Sequence, residues 1–411
     1  MSNSQRNFDV DAVRKDFPIL SEKINGKPLV YLDNAASAQK PQAVIRSMVD
    51  VMEHAYANVH RGLHTLANRA TEAFEDSRET VRDFLNAAEK NEIVFTRSAT
   101  DALNLVADSF GRLNIEEGDE IILSIMEHHS NIVPWHFLRE RKGAVIRWAP
   151  IDRDGNFLID DYKKLFSSRT KIVAVTHMSN VLGTLTPLEE IIRIAHERGV
   201  PVLVDGSQGA VHRAVDVQAL DADFYVMTGH KLYGPTGIGV LYGKKKWLEK
   251  LPPYQGGGEM IETVKCDRVT YNHPPHRFEA GTPPIIEAIG LGAALRYMKM
   301  IGLDTIHEYE MRLRDYTWER LNNVEGLTLY GNAEDKGAIF SFSMDNAHPH
   351  DISSVLDQYG VAVRAGTHCA SPLLDYFGQS ATCRASLAFY NTFEEVDIFI
   401  NALIKSRKLF S

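Results

Sequence analysis

The chain has 411 residues, of which 44% are hydrophobic, so it exceeds the usual size of one hydrophobic core and predicts two domains. A net charge of −9 without long basic runs argues against nucleic acid as the main partner. The three cysteines stand at no metal-ligand spacing, which argues against structural zinc or a disulfide framework and favours a reducing cytoplasm. The polar N-terminus lacks the apolar core of a signal peptide, and no run of about eighteen apolar residues predicts a membrane span.

The first elements in chain order predict a helical N-terminal segment and a short strand. Residues 9–16 predict a short amphipathic helix capped by Asp9, and Asn25-Gly26 predicts a turn. The following run, LVYLDNAA, predicts a strand that ends in small residues such as Ala35. Small residues allow a bound molecule to approach the backbone closely, although a simple tight turn explains them equally well.

Helices are predicted next over 41–55 and 67–85, with a polar loop between them. A strand over 92–97 then leads into a helix that begins near Ala99. The free N–H groups of a helix start, together with the hydroxyls of Ser98 and Thr100, suit a phosphate group, and ordinary capping by these hydroxyls is the alternative. Because no GxxxxGK[ST] or GxGxxG motif occurs in a strand-to-helix context, the expected phosphate does not belong to a nucleotide.

Strands and helices alternate between residues 120 and 227, which predicts a mainly parallel sheet covered on both faces. Ligands bind at the carboxyl ends of such strands. The histidine pair His128-His129 follows one strand, and no third ligand stands at a standard spacing, so we predict no metal site. A flat imidazole there is equally suited to stacking on a ring.

The stretch DFYVMTGHKLYGPTGIGVLYG places Lys231 in a polar turn between two apolar strands. Burial lowers the pKa of a lysine, and the neutral amine is the form that Schiff-base chemistry needs. Upstream, Asp205 closes the apolar run 202–204. An amine and an acid around one crevice fit pyridoxal phosphate, which needs a Schiff-base partner and an acid at its pyridinium nitrogen. A solvated lysine and an ordinary strand-end aspartate are the alternatives.

From about residue 303 the pattern changes to a charged helix, short strands at 327–330, 338–344 and 361–364, and a helix from residue 351. This order predicts an α+β second domain. The loop RAGTHCASP then places Cys369 beside His368 and five residues after Arg364. Positive charge and exposure favour the reactive thiolate. Cys266 and Cys383 are expected to be buried and inert.

The combination of these residues resembles the group II, SufS-type cysteine desulfurases of the class V aminotransferase-like, fold-type I pyridoxal phosphate enzymes. The likeness runs nearly end to end through YLDNAASAQKP, MEHHSNIVPW, THMSNVLGT, VDGSQGAVH, TGHKLYGPTGIG, FEAGTP, RAGTHCA and CRASLAFYNT. Two positions depart from the usual family pattern. Thr367 stands where a histidine is common, and Ala99 stands where the phosphate loop often has a threonine.

The resemblance implies an α/β fold with a mainly parallel seven-stranded sheet and a smaller C-terminal α+β domain. It implies an N-terminal segment 1–30 that packs on the small domain, a large cofactor-binding domain 31–290, and a small domain 291–411 that carries the cysteine loop. It also implies a homodimer whose active sites are shared between the subunits.

The resemblance assigns roles to matching positions. Lys231 would hold pyridoxal phosphate and move the Cα proton, Asp205 would pair with the pyridinium nitrogen, and Gln208 with the phenolic oxygen. His128 would stack on the ring and assist proton transfer. The remaining implied residues bind the cofactor phosphate, namely Ala99, Thr100, Thr228, His230 and, from a second subunit, Thr282. The implied substrate residues are Asn180 and Arg384 at the carboxylate, with Ala35, His60 and Arg61 lining the site.

The implied reaction converts L-cysteine to L-alanine and leaves a persulfide on Cys369. The sulfur would pass to a SufE-like or SufU-like acceptor protein and a scaffold complex for Fe–S cluster assembly. A selenocysteine lyase would use nearly the same site, whereas an aminotransferase or kynureninase relative would not need Cys369. A catalytically silent assembly subunit is a further alternative, and the presence of both Lys231 and Cys369 argues against it.

Overall fold

The computed structural model describes residues 8–410. Within this range seven strands form the central sheet, in the order Ile93–Thr96, Gly239–Gly243, Phe224–Thr228, Val202–Asp205, Thr170–Thr176, Glu120–Ser124 and Val145–Ala149. The five strands from Phe224–Thr228 to Val145–Ala149 pair in parallel, while Gly239–Gly243 is antiparallel to both neighbours. The predicted mainly parallel sheet is therefore confirmed.

The strands that carry the site are buried along their whole length. Every residue of Val202–Asp205 and Phe224–Thr228 is buried, which explains why both appear in the sequence as continuous apolar runs. Helices cover the two faces of the sheet and connect its strands. The main ones are Gln42–Asp50 with a π-helical turn Val51–Ala55, Thr65–Leu85, Ala99–Asn114, Val133–Lys142, Ile159–Lys164, Leu188–His196 and Ile285–Ile301, and the shorter ones are Gly209–His212, Val217–Leu220 and Lys245–Leu248.

A second sheet lies in the C-terminal part of the chain. Four antiparallel strands follow the order Leu327–Tyr330, Ile339–Met344, Thr382–Ser386 and Arg364–Gly366. The helices of this region are Leu303–Asn322, Pro349–Gln358, Ser371–Phe377 and Phe393–Phe410. The strand predicted at 361–364 is divided in two, because Val361–Ala362 leaves this sheet and pairs in parallel with Val30–Tyr31.

The described part of the N-terminal segment contacts the C-terminal region. The helix Val10–Arg14 begins at Asp9, whose carboxylate accepts a hydrogen bond from the Ala12 N–H at 3.0 Å, as predicted. Arg14 forms an ion pair with Glu395 at 2.8 Å. Residues 1–7 of the predicted segment 1–30 lie outside the described residues. The predicted limit at 290/291 falls inside the continuous helix Ile285–Ile301, and the division into domains stays a prediction.

Two of the cysteines differ in their surroundings. Cys383 is buried as expected, its Sγ donates to the Pro349 carbonyl at 3.1 Å, and burial raises the pKa of its thiol to about 12. The prediction that Cys266 is buried is wrong. It lies in the turn of a hairpin, Ile261–Val264 with Val269–Tyr271, whose side chains are mostly exposed.

Candidate active site

A cavity of about 600 Å³ opens where the carboxyl ends of the central strands face the second sheet. Most of the predicted site residues share its wall. These are Ala35, Ala99, Thr100, His128, Asn180, Asp205, Gln208, Thr228, His230, Lys231, Cys369 and Arg384. The structure thus brings together in one place residues that are up to 349 positions apart, from Ala35 to Arg384, since 384 − 35 = 349.

Asp205 ends a central strand and is almost fully buried, with 4% of its surface exposed. Its Oδ1 accepts hydrogen bonds from the Ser207 N–H at 3.0 Å and the Ser207 hydroxyl at 2.6 Å. Gly206 permits this turn, because an added Cβ would lie 2.1 Å from atoms of the Tyr225 ring. The Tyr225 hydroxyl in turn forms a hydrogen bond with His177 Nδ1 at 2.8 Å, which fixes the tyrosine ring that packs against this turn. Asp205 is therefore held in one orientation at the floor of the cavity.

Lys231 follows the strand Phe224–Thr228 in a tightly held turn. The carbonyl of His230, the residue before it, accepts hydrogen bonds from the Ala38 N–H at 3.0 Å and from Lys40 Nζ at 2.9 Å. Lys231 is half-buried and lines the cavity, and burial lowers the pKa of its amine to about 8, against the opposing charge of Asp205. Roughly a tenth of the amine is then neutral at pH 7, far more than for an exposed lysine.

His128 lies on the cavity wall with a defined tautomer. The Ser130 N–H donates to its Nδ1 at 3.1 Å, so the ring proton resides on Nε2. Burial lowers the pKa of His128 to about 4, which keeps the imidazole neutral at pH 7. The preceding Glu127 anchors the segment by accepting from the Thr176 N–H at 2.9 Å and from Asn131 Nδ2 at 2.7 Å. A neutral, fixed imidazole is suited to lie against a planar ring.

The helix Ala99–Asn114 begins at the cavity, as predicted. The Ser98 hydroxyl accepts from the Asp101 N–H at 3.1 Å, so for this residue the capping alternative is confirmed. Thr100 Oγ1 bonds the Ser130 hydroxyl at 2.8 Å. Thr228 Oγ1 is buried and finds no partner among the described residues. The Thr228 hydroxyl and the free N–H groups at the start of the helix Ala99–Asn114 are therefore suited to donate hydrogen bonds to one anionic group.

Cys369 is exposed and lines the cavity, in a loop of unusual backbone conformation. His368 and Cys369 have φ of 52° and 55°, in the left-handed region that few residues other than glycine adopt. The loop is attached at its backbone. The Cys369 carbonyl accepts from the His129 N–H at 2.7 Å, and Asn180 Nδ2 donates to the His368 carbonyl at 2.8 Å. These bonds fix the backbone that carries the thiol at the wall of the cavity that Lys231 also lines.

His129 is a site residue whose role the sequence did not reveal, because a histidine pair by itself indicates only a metal or stacking motif. Its Nε2 accepts a hydrogen bond from the Ser371 N–H at 3.0 Å. Burial lowers the pKa of His129, which favours the neutral ring that this acceptor role needs. His129 therefore braces the cysteine loop with its backbone and its side chain. No group of three His, Cys, Asp or Glu side chains within residues 8–410 is placed to hold a metal ion.

Arg384 lies on the strand Thr382–Ser386, and only 2% of its surface is exposed. This strand is not predicted from the sequence. Its Nη1 donates to the Asn180 carbonyl at 2.8 Å, and its Nη2 lies 3.3 Å from Asp33 Oδ1. Its Nε is buried and has no partner within the described part of the chain. Burial lowers the pKa of Arg384 to about 10 and the charge of Asp33 opposes this, so the guanidinium stays charged. It is suited to bind a carboxylate.

Three predicted site residues do not line this cavity. His60 bonds Glu75 through its Nε2 at 3.0 Å, and Arg61 pairs with Glu259 at 2.8 Å, so both side chains are held elsewhere. Thr282 is exposed in the turn before the helix Ile285–Ile301.

The aminotransferase class-V family model matches residues 30–399. A cysteine desulfurase of Salmonella agona (strain SL483) is 52% identical over 403 residues, which cover 98% of this chain and 99% of that protein. The chain belongs to the cysteine desulfurases of this family. A cysteine desulfurase of Escherichia coli O8 (strain IAI1) shows the same identity and coverage.

Solved structures of cysteine desulfurases share the fold. That of CsdA from Escherichia coli superposes with a TM-score of 0.92 at 39% identity, covering 99% of this chain and all of that one. The apo structure of the enzyme from Thermococcus onnurineus NA1 gives the same TM-score and identity and covers 97% of this chain and 98% of that one.

The cofactor of this cysteine desulfurase is pyridoxal phosphate, and the residues of the cavity fit it. Lys231 offers an amine with a lowered pKa, and Asp205 a buried carboxylate. The unpartnered Thr228 hydroxyl and the start of the helix Ala99–Asn114 suit its phosphate. Ala99 has no hydroxyl, unlike the threonine that is common at this position in the family. Thr228 and Thr100 supply hydroxyls in the same cavity.

Proposed function

We propose that the cavity converts L-cysteine to L-alanine and retains the sulfur as a persulfide on Cys369. The observation that carries this proposal is that one cavity holds both Lys231, with its lowered pKa, and the exposed thiol of Cys369. A transaminating relative would need the amine and not the thiol.

In the proposed reaction the substrate carboxylate binds Arg384, whose buried Nε lacks a partner in the described chain. Asn180 lies beside Arg384 in the wall of the cavity, and its backbone carbonyl accepts a hydrogen bond that orients the guanidinium. A charge-assisted contact in a buried site fixes the substrate strongly, which directs its Cα toward Lys231 and its sulfur toward Cys369.

Pyridoxal phosphate, held by Lys231 at its aldehyde carbon, stabilises negative charge at the substrate Cα when bound. Asp205 would hold the pyridinium proton and Gln208 would face the phenolic oxygen. Once the substrate amine has freed Lys231 from the cofactor, Lys231 would take the Cα proton as a neutral amine, a form that its lowered pKa favours. His128, kept neutral by its lowered pKa, would lie against the ring face and would be the second group for proton transfer.

The sulfur step belongs to Cys369. Its thiolate attacks the substrate sulfur, a new S–S bond forms, and the electron pair of the C–S bond passes to the substrate Cβ. A proton then adds at Cβ and gives the methyl group of alanine. Enzyme thiol and cysteine become enzyme persulfide and alanine, so atoms and electrons balance without an external oxidant.

The exposure of Cys369 supports transfer of the sulfur to an acceptor protein. We infer that this acceptor is SufE-like or SufU-like and that it supplies a scaffold complex for Fe–S cluster assembly in the cytoplasm. A reducing compartment keeps such thiols free, and all three cysteines are free here. No helix among residues 8–410 is long and apolar enough to cross a membrane.

A homodimer is proposed for the assembly. Several large apolar side chains are exposed between residues 45 and 66, on and after the helix Gln42–Asp50, which is consistent with a subunit contact; they are Ile45, Val49, Met52, Leu63 and Leu66. In such a dimer Thr282, His60 and Arg61, which do not line the cavity of their own chain, would complete the cavity of the partner.

Mass spectrometry of the protein after incubation with L-cysteine tests the proposed function. Sulfur should be added to the peptide that contains Cys369, and Cys266→Ala, which removes another exposed thiol, should leave that addition unchanged. Borohydride reduction followed by peptide mapping should mark Lys231. A cofactor label on another lysine, or the absence of added sulfur on Cys369, would contradict the proposal.

A further inference from the structure

Two arginines lie opposite each other on adjacent strands of the second sheet, and both line the cavity. Arg364 and Arg384 are directly opposite in the antiparallel pairing of Arg364–Gly366 with Thr382–Ser386. Like charges at such positions destabilise a sheet. A structure that places two guanidinium groups here needs a negative charge close to both.

Asp33 supplies that charge. Its Oδ2 lies 2.9 Å from Arg364 Nη2, its Oδ1 lies 3.1 Å from Arg364 Nε, and the same Oδ1 lies 3.3 Å from Arg384 Nη2. Among the described residues neither arginine has another ion-pair partner. Asp33 stands just beyond the strand Val30–Tyr31 and bridges to Ser386, so the backbone fixes its position. Its side chain is only 16% exposed, which limits screening by solvent.

The three groups carry one net positive charge. Asp33 accepts three hydrogen-bond contacts from Arg364 and only the longer contact at 3.3 Å from Arg384. Arg384 keeps an Nε without a partner in the described chain, and the charge of Asp33 opposes the lowering of the pKa of Arg384 by the charge of Arg364. One uncompensated charge matches one substrate carboxylate.

We propose that Asp33 is a positioning residue for the desulfurase reaction, which balances Arg364 so that Arg384 stays aligned and available for the carboxylate of the substrate. The inference rests on the proposed function of Arg384. The three side chains are coupled: removing Asp33 exposes Arg384 to repulsion from Arg364, whereas removing Arg364 leaves Asp33 to neutralise Arg384. Each single change harms carboxylate binding, and the two together restore the balance.

The test measures binding of L-alanine to the holoenzyme by calorimetry, because alanine has the carboxylate and lacks the sulfur. Asp33→Asn is expected to weaken binding about tenfold, the effect of losing one hydrogen bond between charged groups. Arg364→Gln should also weaken binding, and Asp33→Asn combined with Arg364→Gln should bind at least about threefold more tightly than Asp33→Asn alone. Asp33→Glu, which keeps the charge, should bind more tightly than Asp33→Asn.

Additive losses in the double variant, or unchanged binding in Asp33→Asn, would overturn the proposal, since a merely structural aspartate is not rescued by removal of Arg364. If Asp33→Asn does not fold, Arg364→Gln decides alone, and unchanged or tighter alanine binding would contradict the claim. Glu325→Gln is the control, because Glu325 pairs with Arg407 at an exposed position and should leave binding unchanged. Alanine binding needs no C–S cleavage, so the result is distinguishable from a failure of the desulfurase reaction itself.

Discussion

The floor of the cavity and the cysteine loop contribute different parts of the chemistry and are built differently. On the floor, Asp205 ends one buried strand of the central sheet and Lys231 follows another, and Oδ1 of Asp205 accepts two hydrogen bonds from Ser207. In the loop, Cys369 is exposed on left-handed backbone and is attached by a few hydrogen bonds from His129 and Asn180. A rigid floor suits proton transfer at carbon, whereas an exposed loop suits a sulfur atom that must be passed on.

This difference predicts that mutations can separate the two steps, proton transfer at Cα and transfer of the sulfur to Cys369. Changes on the floor should abolish both steps, because the sulfur step uses the charge that the floor stabilises. Changes in the loop should remove the sulfur step alone.

The largest effect is expected for Lys231→Ala on the floor. Without the amine the protein loses the attachment of the cofactor and the group that moves the Cα proton, so alanine formation should fall by at least ~10²–10⁴-fold. Absorbance of the bound cofactor and alanine release measure the two losses. Lys245→Ala, which changes an exposed lysine, should behave like wild type, and substantial alanine release by Lys231→Ala would contradict the role assigned here.

Arg384→Ala should weaken binding of L-cysteine while the protein keeps its cofactor. Loss of a buried charge-assisted contact costs about 2–4 kcal/mol, equivalent to roughly 30-fold to 1000-fold in affinity. Steady-state kinetics should show the effect in KM for L-cysteine. An unchanged KM would mean that the carboxylate binds elsewhere.

The pH dependence of cofactor capture reports on the burial of Lys231. Because burial lowers its pKa to about 8, the neutral amine fraction rises about tenfold per pH unit below this value and levels off above it. The rate at which the apoenzyme captures pyridoxal phosphate should follow that fraction, in stopped-flow absorbance measurements. A rate that keeps rising to pH 10 would indicate an amine with the ordinary pKa of lysine.

A smaller effect is expected for His129→Ala in the loop. The Ser371 N–H loses its acceptor, which costs about 1 kcal/mol or roughly fivefold, and the thiol becomes less well positioned. Persulfide formation should slow while exchange of the Cα proton with solvent stays near the wild-type rate. His129→Gln, whose amide oxygen can accept a hydrogen bond, should recover part of the loss. Equal slowing of persulfide formation and of Cα proton exchange in His129→Ala would contradict the separate roles of floor and loop.

The sequence predicted the central sheet well because most of its strands are largely apolar, buried runs that end in or before polar residues. Asp205 and Lys231 were accessible to this reasoning, since both follow such strands closely in the chain. The strand Thr382–Ser386 was missed because it contains Cys383 and Arg384 among small residues, and only its pairing with two neighbouring strands defines it. The contact of His129 with the cysteine loop joins positions 240 residues apart, since 369 − 129 = 240, and no local pattern reports such a contact. The same holds for Asp33, which lies in a motif that indicated only a strand end.

The most direct test of the central claim is the behaviour of Cys369→Ala with L-cysteine. The floor residues stay in place, so exchange of the Cα proton with solvent, followed by NMR in D₂O, should continue at close to the wild-type rate. Alanine release, measured in the same sample, should be absent, because cleavage of the C–S bond needs the attacking thiolate and Cα deprotonation does not. Wild-type alanine release by Cys369→Ala would contradict the account, as it would show that the sulfur leaves without Cys369.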